Sequence, residues 1–240
     1  MSADPRSKLP KMAALTAEAM LPAAPEKALD VISEGLCLVL GAADVALAAA
    51  EQLAPHLGVT VLLEEAEDLP DSRAYEVITG RLRRAQGALG QFRVTIDALR
   101  QVQPGGRGSL TLTEPRDGGI SDCDIVRDLR RAPPRFPAPE KREGYLRADP
   151  GNPLAVAAAV MAASHLTGTF EKPLHVRTDA LLCAHSRAGQ TGCTRCLDLC
   201  PTGAIVPDGD HVTVDPMICA GCGACSAVCP SGAISFDAPP

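Results

Sequence analysis

Cysteine is the residue type in this chain whose spacing predicts chemistry. Eight of the ten cysteines fall within the stretch from Cys183 to Cys229. The last four are followed by a proline in the pattern C-x2-C-x2-C-x3-C-P; they are Cys219, Cys222, Cys225 and Cys229. In bacterial [4Fe-4S] sites with this spacing, three thiolates wrap one cluster and the fourth reaches another. The pattern therefore predicts bound iron and inorganic sulfide, and clustering this dense does not suggest disulfides.

A second copy of the motif lies 29 residues upstream. Cys193, Cys196 and Cys200 align with Cys222, Cys225 and Cys229, and PTGAI follows as PSGAI does downstream. One position fails to repeat, because Gln190 stands where the downstream copy has Cys219. The nearest cysteine is Cys183, seven residues earlier. We predict that an insertion displaces the fourth thiolate to Cys183, which gives the spacing C-x9-C-x2-C-x3-C-P.

Structural zinc is the alternative for any group of cysteines. A zinc ion takes four ligands, usually from two separated pairs. This chain instead repeats a cysteine triplet and a C-P dipeptide, so the pattern favours iron and sulfide over zinc.

The last sixty or so residues resemble a bacterial two-cluster ferredoxin, on the two C-P motifs and the GAI segments that trail them. The resemblance implies a small α+β domain with pseudo-twofold symmetry, a hairpin beside each site (one from AIVPDGDHVTV, with Pro207 to Asp210 as its turn) and two [4Fe-4S] clusters. It implies one ligand set made of Cys183, Cys193, Cys196 and Cys229. It implies a second set made of Cys219, Cys222, Cys225 and Cys200. If Cys183 is not a ligand, a [3Fe-4S] cluster or ligation by His185 would follow.

A second resemblance covers the chain from about Cys123 onward. The strings EKREGYLRADPGNP and CAHSRAGQTGCTRCLDLCPTGAI are similar to those of ferredoxin-like iron-sulfur proteins that occur with formate dehydrogenases in proteobacteria. This resemblance implies electron delivery to or from a molybdenum enzyme. Because those relatives tend to be longer, it also implies that the chain is a shortened form or a fragment.

The N-terminal half predicts a different kind of fold. LCLVLG and VTVLLEE are apolar strand patterns, and the segment between them has helical periodicity, which together predict a βαβ unit. Gly41 and Glu64 lie where a dinucleotide site would have its first glycine and its ribose-binding acid. LGAADVA offers one glycine where G-x-G-x-x-G has three, so the sequence favours a degenerate Rossmann-like domain.

Composition shifts divide the chain into five predicted segments. They are a tail or short helix at 1–30, an α/β domain at 31–131, a proline-rich linker or strap at 132–153, a helix and connector at 154–176 with Asn152 as N-cap, and a two-cluster ferredoxin domain at 177–240. Seven basic residues between Arg127 and Arg147 predict either a docking surface for an acidic partner or a solvated linker.

Composition also excludes several functions. The net charge of -6 and an aromatic content of 2% argue against a nucleic-acid partner. The longest apolar run, Leu154 to Ala163, is about half as long as a membrane-spanning helix. The N-terminal segment lacks the pattern of a secretory signal. With clustered cysteines as metal ligands, these observations predict a cytoplasmic protein with reduced thiols.

These patterns together predict an electron-transfer protein with two [4Fe-4S] clusters, which relays electrons to or from a larger redox enzyme. No arrangement of residues suited to nucleophilic catalysis stands out, so a carrier is favoured over a stand-alone catalyst. Two alternatives stay open: a flavin- or nicotinamide-dependent oxidoreductase subunit that uses the clusters as a wire, and an assembly factor for a redox enzyme. The sequence leaves the donor, the acceptor, the direction of electron flow and the oligomeric state open.

Overall fold

The structure is a computed structural model, and it describes residues 5–20, 27–64, 69, 74–103, 111–187 and 189–237. Helix α1 (Pro5–Ala19) and the start of strand β1 (Ala28–Ser33) fall in the segment predicted as a tail or short helix. Strand β1 pairs antiparallel with β9 (Gly168–Pro173), which lies more than a hundred residues later in the chain. This pairing joins the first strand of the chain's described part to the segment that leads into the cysteine region.

A mixed seven-stranded sheet forms the N-terminal α/β unit, with the strand order β6-β5-β4-β3-β2-β7-β8. Its strands are β2 (Leu36–Gly41), β3 (Gly58–Leu63), β4 (Glu76–Gln86), β5 (Phe92–Gln101), β6 (Gly119–Cys123), β7 (Ile125–Leu129) and β8 (Tyr145–Arg147). Strands β4, β3, β2, β7 and β8 run parallel, whereas β5 and β6 are antiparallel to their neighbours.

The predicted βαβ unit is present as β2, helix α2 (Ala43–Leu53) and β3, with β2 and β3 paired in parallel. Its apolar strands are buried on both faces, as strands under a crossover helix normally are. Beyond this unit the sheet is mixed, because β4 continues into the antiparallel strands β5 and β6, and a Rossmann-like fold stays a prediction.

Two apolar cores lie on the two faces of the sheet. On one face, α2 and α3 (Pro153–Ser164) cover residues that include Val39, Val61 and Ile125. On the other face, Leu38 and Leu40 belong to a core that also buries Phe136 and Tyr145. Because the chain has few aromatic residues, aliphatic side chains make up most of both cores.

The proline-rich segment 132–153 packs against the sheet. It contains a short 3-10 turn (Pro139–Lys141) and strand β8, and it buries Phe136 and Tyr145. At its end, the Asn152 side chain accepts a hydrogen bond from the Ala155 N–H at 3.1 Å, so the predicted N-cap of α3 is confirmed. The boundaries between domains stay a prediction.

The basic stretch is neither a docking surface nor a solvated linker at three of its positions. Arg127, Arg130 and Arg142 are 0%, 8% and 7% exposed. Arg127 donates to the carbonyls of Leu146 and Val156 and so ties β8 and α3 to the sheet. Arg130 forms an ion pair with Asp128 at 2.6 Å. These buried guanidinium groups therefore stabilise the fold.

Tyr145 makes the stability of this core depend on pH. Its hydroxyl donates to the fully buried Asp128, and burial followed by this hydrogen bond raises the pKa of Tyr145 to about 12. The folded state therefore holds this proton more tightly than the unfolded chain does. The resulting stabilisation is intact below about pH 10 and is lost as the pH rises toward 12.

We expect Tyr145→Phe to remove about 2–3 kcal/mol of the stability difference between about pH 9 and about pH 12. The variant also loses the hydrogen bond to Asp128, at a cost of about 1–2 kcal/mol near pH 9. Burial raises the pKa of the Cys37 thiol to about 12 as well, so a residual pH dependence persists. Urea unfolding at both pH values measures the effect, and an unchanged pH dependence in the variant would refute it.

The chain then enters the cysteine region through β9. Its strands are β10 (Val176–Thr178), β11 (Ser186–Arg187), β12 (Gln190–Thr191), β13 (Ile205–Asp208), β14 (His211–Val214) and β15 (Ile234–Phe236). Its helices are a 3-10 turn (Ala180–Leu182), α4 (Arg195–Leu199) and α5 (Ala224–Val228). Across the part of the chain that the structure describes, we find no helix with the length and apolar character that crossing a membrane requires.

Candidate metal centre

Two hairpin-like strand pairs give the cysteine region a pseudo-twofold symmetry. Strand β13 pairs antiparallel with β14, and β10 pairs antiparallel with the distant β15. In each pair, one strand starts from the Ala-Ile that follows a C-P motif, and the other leads into the next run of cysteines. The hairpin predicted in AIVPDGDHVTV is present, but its turn is shorter than predicted, because Pro207 and Asp208 belong to β13.

Matching turns carry the chain from β10 to Cys183 and from β14 to Cys219. In the first turn, the Asp179 side chain accepts from the Leu181 N–H at 3.0 Å. In the second, the Asp215 side chain accepts from the Met217 N–H at 2.9 Å. Cys183 and Cys219 each stand four residues after the aspartate. The structure therefore gives Cys183 the position in its half that Cys219 has in the other.

The same correspondence is visible in the sequence once the structure shows where to look. HVRTDALLC (175–183) and HVTVDPMIC (211–219) share four of nine residues at an offset of 36. The cysteine triplets repeat at an offset of 29, and comparison at that single offset does not reveal the repeat at 36. The seven residues of difference are the insertion that displaces Cys183.

The insertion forms a small hairpin of β11 and β12 between Cys183 and Cys193. His185 lies at its base and is buried, and its Nδ1 is 2.9 Å from the carbonyl oxygen of Cys193. The carbonyl of His185 in turn accepts from the Gly192 N–H at 2.7 Å. His185 thus closes the inserted loop, which is a structural task that does not need a metal.

One small cavity brings together the four cysteines of the first predicted ligand set. Cys183, Cys193 and Cys196 line it from one half of the region, and Cys229 lines it from the other half. The remaining wall is mostly apolar and includes Val212, Ala233 and Ile234. Among the described residues, no three His, Cys, Asp or Glu side chains are placed to hold a single metal ion.

The second set has the corresponding arrangement in its first three members. Cys225 is buried, and its electrostatic neighbours are Cys219 and Cys222, just as those of Cys196 are Cys193 and Cys183. Burial raises the pKa of both Cys196 and Cys225. Cys222 is the exposed member of the set. The proposed fourth member, Cys200, packs against a small core made of Cys196, Ile205, Val212, Cys225 and Ile234.

The cysteine spacing and this symmetry agree with a known family. Residues 191–233 match the model of the 4Fe-4S dicluster domain. The C-terminal part of the chain is therefore a 4Fe-4S ferredoxin-type domain. The match includes the seven cysteines from Cys193 to Cys229 and begins after Cys183. Comparison with curated proteins gives no match.

The last cysteine of each motif in the ferredoxin-type domain receives several hydrogen bonds. Burial by itself would raise the pKa of Cys200, but donors from Thr202, Ala204 and Ile205 outweigh it and lower that pKa. The Cys229 pKa is lowered in the same way, with burial opposed by the backbone of Ile234, Ala233 and Ser231 and by the Ser231 hydroxyl. The two C-P loops thus favour a thiolate, which is the form that binds iron.

These features fit iron-sulfur clusters. The thiols around the small cavity are soft ligands of the type that such clusters use, and N–H groups directed at sulfur stabilise the anionic form. Gly221 lets the cysteine loop approach its neighbours closely: its φ is +67°, and a Cβ there would lie 2.7 Å from the His175 ring. The cysteine spacing gives no signal for His175, whose ring also stacks on Phe236 with a centroid distance of 6.4 Å.

The other two cysteines lie in the sheet. Cys37 belongs to β2 and Cys123 to β6, and both are buried. Burial raises the pKa of each thiol above its ordinary value. They therefore behave as small apolar side chains of the sheet, as free buried cysteines usually do.

Proposed function

We propose that this chain is an electron-transfer protein that holds two [4Fe-4S] clusters and exchanges electrons with a larger redox enzyme. The observation that carries the proposal is the cavity to which Cys229 of one motif and Cys183, Cys193 and Cys196 of the other contribute. In such crossed ligation, each site takes cysteines from both motifs. Clusters of this type supply one-electron centres when bound.

The protein fixes the positions of the cysteine ligands. Cys196 and Cys225 stand on short helices, and the C-P loops fix Cys200 and Cys229 with hydrogen bonds to their sulfur atoms. The small apolar core of Ile205, Val212 and Ile234 lies between the two halves. A ligand shell that moves little on a change of charge makes electron exchange fast.

The partner proposed from resemblance is a formate dehydrogenase, and a direct assay tests it. Protein purified without oxygen is mixed with formate and a formate dehydrogenase, and the visible absorbance and EPR spectrum are followed. We expect reversible reduction by dithionite and also by this enzyme. Reduction by dithionite alone would remove formate dehydrogenase as the partner, and clusters that dithionite cannot reduce would instead support the assembly-factor alternative.

A crevice in the α/β unit favours one second candidate, an oxidoreductase subunit whose sheet binds a nicotinamide or flavin. The crevice lies where Gly41, Leu63 and Leu129 end the parallel strands β2, β3 and β7, and Asp44 and Arg130 also line it. Open parallel sheets bind ligands at such a place. A thermal shift on adding NADH or FMN would support this candidate, and unchanged melting with both would count against it.

A further inference from the structure

Arg142 is a buried cation at the junction of the α/β unit and the ferredoxin-type domain. It is 7% exposed, and its guanidinium carbon lies 4.7 Å from the centre of the Phe136 ring. Its Nη1 donates to the carbonyl of Gly87 at 3.2 Å on the sheet side. Its Nη2 donates to the carbonyl of Thr202 at 2.9 Å on the domain side. Arg142 thereby joins the sheet to the loop that follows Cys200.

No carboxylate forms an ion pair with Arg142 among the described residues, and its Nε has no hydrogen-bond partner there. A buried charge is costly unless an opposite charge compensates it. The negative groups that act on Arg142 are Asp215 and Cys200. Both belong to the part of the domain that we assign to the second cluster, so the compensating charge is on that side.

Arg142 interacts with two segments of the second ligand set, the loop that follows Cys200 and the turn that leads to Cys219. The Thr202 hydroxyl lies 3.6 Å from the Cys200 sulfur. Asp215 opens the turn to Cys219, whose N–H donates to the Asp215 carbonyl at 3.0 Å. The guanidinium group thus lies at the loop of one ligand and acts electrostatically on the turn that leads to another.

Among the described residues, the first ligand set has no buried cation of this kind; Arg195, which lines its cavity, is exposed to solvent. In the first ligand set, the residue that corresponds to Thr202 is Ser231, because each stands two residues after the last cysteine of its motif. Thr202 is 3% exposed, whereas Ser231 is exposed to solvent. Within the described residues, the hydrogen bond of the Ser231 hydroxyl is to the Cys229 sulfur, and no basic side chain donates to Ser231. The symmetry of the fold is therefore broken by a buried charge that the α/β unit contributes.

We propose that Arg142 raises the reduction potential of the cluster bound by Cys200, Cys219, Cys222 and Cys225 above that of its neighbour. Adding one electron makes the site more negative and changes no bond, so a fixed buried cation favours the reduced state. Electrons held by the domain then reside mainly at the end next to the α/β unit. This inference rests on the proposed two-cluster function.

The test is an EPR-monitored redox titration of four variants beside the wild type. In Arg142→Met and Arg142→Gln, we expect one of the two cluster potentials to fall by at least about 59 mV, a tenfold change in the equilibrium constant. The other potential should not change. Arg142→Lys should keep most of the wild-type value. Arg147→Gln is the matched control, because Arg147 lies on β8 and donates to the Ala132 carbonyl. It should change neither potential.

Repeating Arg142→Met in a Cys183→Ala background assigns the affected site, since the remaining [4Fe-4S] signal should carry the whole shift. Unchanged potentials, equal shifts in both, or a lysine variant that behaves like the methionine variant would overturn the proposal. Iron analysis comes first: a wild type with well under eight iron atoms contradicts the two-cluster function itself. Eight iron atoms with no shift contradict only the role of Arg142. Methionine and glutamine differ in polarity, so one serves if the other prevents folding.

Discussion

We expect the double variant Cys183→Ala/Cys229→Ala to keep one intact [4Fe-4S] cluster and the double variant Cys183→Ala/Cys200→Ala to keep neither. The reason is the crossing of the ligands. Cys183 and Cys229 line one cavity although they belong to different motifs, so removing both damages a single site. Cys200 belongs to the other proposed set, so its loss together with Cys183 damages both.

Iron and sulfide analysis with EPR of the reduced protein measures the difference. The first variant should hold about four iron atoms and the second close to none, against about eight in the wild type. Cys37→Ala serves as the control, because that cysteine lies in the sheet and should leave the iron content unchanged. If the two double variants lose the same amount of iron, the ligand sets are not crossed as we propose.

Removing the clusters should unfold the ferredoxin-type domain and spare the sheet. The domain core has five buried residues, Cys196, Ile205, Val212, Cys225 and Ile234, and two of them are proposed ligands. A core this small does not hold a fold without its metal. The sheet, by contrast, has an extended apolar core on each face.

Hydrogen exchange read by mass spectrometry before and after anaerobic iron chelation tests this prediction. Amide protection across 175–237 should fall by at least about a hundredfold, while that of the strands in 36–129 should change little. The Cys37→Ala variant, treated in parallel, controls for effects of the chelator on the sheet. Protection that persists in both regions, or that is lost from both, would contradict the independence of the two cores.

Local sequence patterns predict the structure correctly where a segment determines its own conformation. Asn152 and Pro153 predict the start of α3 because an N-cap acts on the next few residues only. The strands of the βαβ unit follow in the same way from short apolar runs bounded by turn residues. The cysteine spacing predicts a 4Fe-4S domain because a cluster fixes the distances between its ligands, and the family match agrees.

Features that depend on distant residues could not be obtained this way. The pairing of β10 with β15 joins strands about sixty residues apart and has no local signature. The repeat that places Cys183 was hidden because the insertion changes the offset between the two copies. The sequence predicts a linker or docking surface for Arg142, because arginines are mostly exposed and only the packed fold reveals a buried one.

The most direct test of the account is the iron and acid-labile sulfide content of anaerobically purified protein, together with the EPR spectrum of its dithionite-reduced and air-oxidised forms. We predict about eight iron and eight sulfide per chain, and a reduced spectrum from two interacting [4Fe-4S] clusters. About four iron, or a [3Fe-4S] signal in the oxidised wild type, would show that Cys183 does not complete the first site and would contradict the two-cluster account.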